Sequence, residues 1–145
     1  MLAKQASECE EVPVGAVIVC GENMVSCAFN NRENGKDATA HAEILAIRRA
    51  CQALGRWRLE DCEMYVTLEP CPMCAGAIIN ARLFRVVYGA KDAGGGAFDS
   101  VINLRSFPLC SKPIVKGGVL GEQSASLLGA FFEKKRKGKK NSKKF

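Results

Sequence analysis

Four side chains carry most of the chemistry available to this 145-residue sequence. His41 and Glu43 stand two apart in Thr39-Ala40-His41-Ala42-Glu43, and Cys71 and Cys74 form a C-x-x-C pair beside Pro70 and Pro72. One imidazole and two thiols make three ligands for a zinc ion. Structural zinc sites close all four positions with protein, whereas catalytic ones leave one for water. Residues two apart on a helix do not share a face, so His41 and Glu43 are poorly placed to ligate the same ion. The spacing therefore assigns His41, Cys71 and Cys74 as ligands and Glu43 as a proton carrier beside the open position. Zinc lowers the pKa of bound water toward neutrality, and a carboxylate can accept and pass on the proton. The implied chemistry is hydrolytic. A thioredoxin-type redox use of Cys71 and Cys74 is the rival reading, and it leaves His41 and Glu43 without a part.

These residues need elements to position them. Residues 1–11 predict a helix of about two turns, with Leu2, Ala6 and Cys9 at helical spacing. Pro13 disfavours helix in the residue before it. Two β-prone runs, residues 16–20 and 24–29, flank Gly21-Glu22-Asn23 and predict a hairpin. Residues 30–38 are polar and predict a loop. Thr39 is positioned to cap a helix carrying His41 and Glu43 in its first turn, and its apolar stripe runs through Leu54 to Gly55. Residues 64–68 predict a strand, and Pro70 to Cys74 opens a helix ending near Asn80. A strand over residues 84–90, a Gly-rich loop over 91–97, a short helix over 100–105 and a weak strand over 113–119 follow. An amphipathic helix over residues 122–137 runs into a basic end. Alternating strands and helices after the hairpin indicate an α/β fold with some parallel pairing and helices on both faces of the sheet.

Composition narrows the setting. Nearly half the residues are apolar, as in globular domains. Apolar stretches such as residues 75–79 fall far short of the roughly 20 residues a membrane span needs. With no secretory leader in evidence, the expectation is a soluble, cytoplasmic protein with no membrane partner. Six of the eight cysteines are scattered among apolar residues, where a reduced thiol acts as a small hydrophobe. The net charge of +6 is uneven: residues 134–144 hold eight bases and no acid, leaving 13 of the 21 bases against all 15 acids. A basic end on a near-neutral body suggests attraction to a polyanion. The organisation expected is a domain over residues 1–133 and a basic C-terminal tail over 134–145.

The pattern H-x-E…P-C-x-x-C marks zinc-dependent nucleobase deaminases, of which the adenosine deaminase of tRNA is a standard example. Beyond those motifs the chain resembles the bacterial tRNA-specific adenosine deaminases along most of its length. The resemblance rests on Glu11-Val12-Pro13-Val14-Gly15-Ala16, Thr39 to Glu43, Tyr65-Val66-Thr67-Leu68-Glu69-Pro70-Cys71, Cys74-Ala75-Gly76-Ala77, Arg85-Val86-Val87-Tyr88-Gly89-Ala90 and Phe131-Phe132. It implies a three-layer α/β/α cytidine deaminase-like fold with a central mixed sheet of about five strands. It also implies hydrolytic deamination of adenosine to inosine at the wobble position (34) of tRNA anticodons, with one Zn2+ per subunit and a homodimeric assembly on the anticodon stem-loop. By that likeness Asn30 hydrogen-bonds the base, Val14 lines its pocket, and Ala42 and Asp92 face the substrate. Phe132 and Arg136 are the corresponding candidates for RNA contact. Two alternatives stand: a zinc deaminase of a free base or nucleotide (guanine, cytosine or dCMP), and a non-catalytic zinc-stabilised RNA-binding module. Glu43 argues against the module, which has no need of a carboxylate beside an open zinc position.

Overall fold

A computed structural model describes residues 1–142, with side chains as far as residue 140. Its centre is a five-stranded sheet in the order β2-β1-β3-β4-β5. The strands are β1 (Gly15–Cys20), β2 (Asn23–Phe29), β3 (Cys62–Leu68), β4 (Arg85–Ala90) and β5 (Ile114–Lys116). β1 pairs antiparallel with both β2 and β3, while β3, β4 and β5 run parallel. β4 lies between two parallel partners and is buried along nearly its whole length, which is why Arg-Val-Val-Tyr-Gly-Ala reads as a continuous apolar run and not an alternating one. This is the central mixed sheet of five strands that the resemblance implies.

Helices α1 (Leu2–Glu8) and α5 (Gly121–Ser142) pack on one face, α5 against β4 and β3. Helices α3 (Ala42–Leu54) and α4 (Pro72–Asn80) cover the other, α3 against β1 and β2. α3 buries Ala42, Ala46, Ile47 and Ala50, a stripe of mostly small side chains that lets the helix lie close to the sheet. It stops at Gly55, whose φ of 65° is the left-handed conformation glycine adopts without a Cβ penalty. α4 has Pro72 at its first position, where the missing N–H costs nothing. Ile18, Met64, Ile78, Ile79, Val86 and Tyr88 are fully buried between the layers.

Several expectations need correction. Thr39 does not cap α3; its amide and hydroxyl both donate to Asp37 Oδ1, at 2.8 and 2.7 Å. His41 itself is the N-cap residue, extended at φ −71° and ψ 150°, so it precedes the first turn. The loop after β2 contains a short helix α2 (Arg32–Gly35), and the helix expected over 100–105 is a single 3-10 turn at Leu104–Ser106. The last strand is only three residues long. α5 begins one residue earlier than expected and continues through the basic run to Ser142; the final residues of the tail, 143–145, lie outside the described residues.

Candidate active site

The site lies where β3 and β4 end and two helices begin. β3 delivers Glu69-Pro70-Cys71 to the start of α4, and the loop after β2 delivers His41 to the start of α3. Ligand sites of open α/β sheets gather at this carboxyl end of parallel strands. His41 Nδ1 sits 3.6 Å from Cys71 Sγ and 3.5 Å from Cys74 Sγ. In a tetrahedral zinc site, with metal–sulfur bonds of about 2.3 Å and metal–nitrogen of about 2.0 Å, a sulfur and a nitrogen ligand stand about 3.5 Å apart. The donor set and its spacing therefore fit such an ion, with no fourth protein ligand among the described residues in the cluster. Both helix N-termini direct amide dipoles here, which favours thiolate.

Charge in the cluster follows from its neighbours. Cys71 is drawn down to about 4, mainly by the Cys74 thiol and then by His41, against the opposing effect of burial. Cys74 is pushed up because it shares its proton with Cys71 and is buried. The Cys71 sulfur raises His41. Glu43 lies one residue into α3, only 4% exposed, and burial pushes its carboxyl up to about 7. A carboxyl held near neutrality both accepts and releases protons at working pH.

A cleft of about 360 Å3 opens over the cluster, within the range of small-molecule sites. Its walls include Val14 and Asn30, Lys91 and Asp92, and Leu128 and Phe132 of α5. Arg32, Ala42 and Glu43 also line it. Val14, Asn30, Ala42, Asp92 and Phe132 thus line a single cleft. Arg136 does not reach the lining; it is exposed one turn further along α5. Asp92 also has a local task, since its Oδ1 accepts the amides of Gly94 and Gly95 at 3.1 Å each.

Two buried carboxylates that the sequence did not single out organise these walls. Glu11 is fully buried. It accepts Asn30 Nδ2 at 3.3 Å, the Asn34 amide at 2.8 Å and Asn34 Nδ2 at 3.1 Å, fixing Asn30 and the start of α2. Glu69, 1% exposed, accepts the amides of Asp92, Phe98, Asp99 and Ser100 at 2.8–3.3 Å and the Ser100 hydroxyl. Burial opposes its ionisation, but these donors together hold its carboxyl below the usual range. Gly96 passes so close to this carboxylate that any Cβ would collide with it. Glu69 thereby ties the loop of residues 92–100 to the segment bearing Cys71. The available signal was an acid within two residues of a proline beside an apolar residue, in Glu11-Val12-Pro13 and Leu68-Glu69-Pro70.

Residues 1–136 match the MafB19-like deaminase family, which makes the chain a deaminase, a hydrolase of the cytidine deaminase-like class. The chain is 47% identical to the tRNA-specific adenosine deaminase of Bacillus subtilis strain 168, over 98% of this chain and 89% of that protein. A tRNA:A34 deaminase structure, from work on A-to-I editing at the wobble position of transfer RNA, superposes with a TM-score of 0.85 at 45% identity, covering 88% of this chain and 93% of that one. A guanine deaminase of Bacillus subtilis superposes less well, with a TM-score of 0.61 at 36% identity over 75% of this chain and 80% of its own. The chain belongs to the tRNA-specific adenosine deaminase family.

Proposed function

We propose that this protein hydrolyses adenosine to inosine at the wobble position (34) of tRNA anticodons, using a zinc ion held by His41, Cys71 and Cys74, one per subunit. The observation that carries the reading is a zinc-compatible His/Cys/Cys cluster beside a buried, near-neutral Glu43 in the lining of a base-sized cleft. Bound there, zinc supplies activation of water at neutral pH. Glu43 takes the proton of the attacking water, returns it to the purine ring and then passes a proton to the amine departing from C6. Asn30, held by Glu11, hydrogen-bonds the base, while Val14 packs against it and the Ala42 amide faces it. Asp92, also in the cleft lining, approaches the substrate nucleotides.

RNA is read through splayed loop bases together with phosphate contacts. Arg32 and Lys91 beside the cleft, and the exposed basic turns of α5 beyond Phe132, provide cations on that side. Phe132 offers a ring for stacking, and Arg136 a backbone contact. We read residues 1–133 as the deaminase domain and 134–145 as its basic extension, acting in the cytoplasm as a homodimer.

Incubation with an anticodon stem-loop carrying adenosine at the wobble position tests the reading. Inosine should accumulate with one zinc held at His41, Cys71 and Cys74 in each chain. A zinc-loaded protein that leaves the stem-loop unchanged, or that turns over free guanine, cytosine or dCMP instead, overturns it.

A further inference from the structure

A second cysteine cluster lies at the other end of the sheet. Cys20 closes β1 and Cys62 opens β3, and the two are directly opposed in the antiparallel ladder. Asp61, the residue before Cys62, turns its carboxylate onto both thiols. Cys20 Sγ donates to Oδ2 at 3.4 Å and Cys62 Sγ to Oδ1 at 3.5 Å. The three donor atoms lie within 4.8 Å of one another. In a tetrahedral zinc site, sulfur and carboxylate-oxygen ligands stand about 3.5 Å apart, and each thiol here meets its own carboxylate oxygen at that spacing. β3 lies between the two clusters, with Cys62 at its start and Cys71 three residues past its end, and its seven residues span about 20 Å at the rise of a strand.

Charge also fits a cation. Two S–H protons converge on one carboxylate, and a single divalent ion can replace both. Two thiolates, one carboxylate and the ion sum to one negative charge, which Arg56 offsets through its ion pair with Asp61 at 2.6 Å. A donor that orients a ligating carboxylate in this way is the usual outer partner of a metal site. Cys62 is fully buried and Cys20 half-buried, whereas Asp61 is exposed and leaves a way in from solvent.

We propose that Cys20, Asp61 and Cys62 form a second cation site, selective for a thiophilic divalent ion such as zinc or cadmium, which clamps β1 to β3 at the end of the sheet remote from the cleft. Thiols ligate as thiolates, so binding of the ion releases their protons and occupancy rises with pH.

Cadmium titration of the reduced full-length protein, followed by native mass spectrometry and by thiolate-to-metal absorption, tests this. The readout is a difference: the wild type should bind one more equivalent than Cys20→Ser. Because Cys20 is only half-buried, that variant is preferred to Cys62→Ser, which alters the core. Asp61→Asn, which keeps both thiols, should weaken the extra equivalent by at least about tenfold, the scale on which partners of a metal ligand act. The difference is independent of what occupies His41, Cys71 and Cys74. Equal stoichiometry in wild type and Cys20→Ser, or undiminished affinity in Asp61→Asn, overturns the proposal.

Discussion

His41, Cys71 and Cys74 at one end of the sheet and Cys20, Asp61 and Cys62 at the other are alike in ligand count and spacing, and opposite in setting. The first cluster sits at two helix N-termini, and Cys71 is drawn down to about 4, chiefly by the Cys74 thiol. The second sits at two strand ends, and Cys62 is held up to about 12. The first has a buried carboxyl in reserve, Glu43, and a cleft above it; the second spends its only carboxylate as a donor and pairs it with Arg56. Two thiols and a third donor define a place for a metal. Catalysis needs in addition an uncommitted proton carrier and room for a substrate.

The largest expected effect would break that contrast if it failed. Glu43→Gln should retain its metal yet lose about 10^3-fold in single-turnover deamination of the stem-loop, within the range for removing a general acid–base. Undiminished turnover would leave the first cluster no more catalytic than the second. Next comes a double dissociation, in which Cys71→Ser removes one metal equivalent and activity together. Cys20→Ser removes one equivalent and leaves deamination intact, as scored by metal analysis beside inosine formation. Glu69→Ala should cost about 3 kcal/mol in urea unfolding, because several amides of the 92–100 loop lose a charged acceptor. A stability equal to wild type would mean the loop finds its own partners. Glu11→Gln should lower kcat/KM about tenfold, equivalent to roughly 1.4 kcal/mol, without changing metal content, since it loosens Asn30 and the start of α2 and removes no ligand of the cluster. The smallest effect is electrostatic: deleting residues 134–145 should flatten the salt dependence of stem-loop binding by about 0.7–0.9 for each phosphate the tail had neutralised. An unchanged slope would remove the tail from the RNA interface.

What could be read from the sequence was local, and what could not was set by distant residues. The hairpin, the stripe of α3 and the Pro72 start of α4 follow from spacing and turn chemistry within a few residues. The four chemical side chains were legible because their types are rare together and each sits at an element boundary. Thr39 was a reasonable cap, but Asp37 two residues earlier takes both its donors and hands the cap position to His41. α2 escaped notice because Glu11, more than twenty residues away, accepts the Asn34 amide within it. The organising tasks of Glu11 and Glu69 are likewise tertiary. Cys20 and Cys62 looked like scattered hydrophobes, since only strand register sets them side by side. The helical basic run was underestimated because charge density suggests a solvated coil. Lys and Arg are good helix formers, however, and the Glu133–Lys137 pair at 2.8 Å spans one turn of it.

That continuous helix has a metrical consequence. α5 rises about 33 Å over its 22 residues, with Leu128 and Phe132 in the cleft wall and the cations beyond them on the same rigid rod. From Lys134 to Lys140 each basic residue is therefore attached at a set axial distance along the helix from Phe132, about 1.5 Å further per residue. A flexible tail would hold any polyanion nearby; a rod works as a ruler, rewarding a ligand whose charges begin at a set distance from the base it inserts.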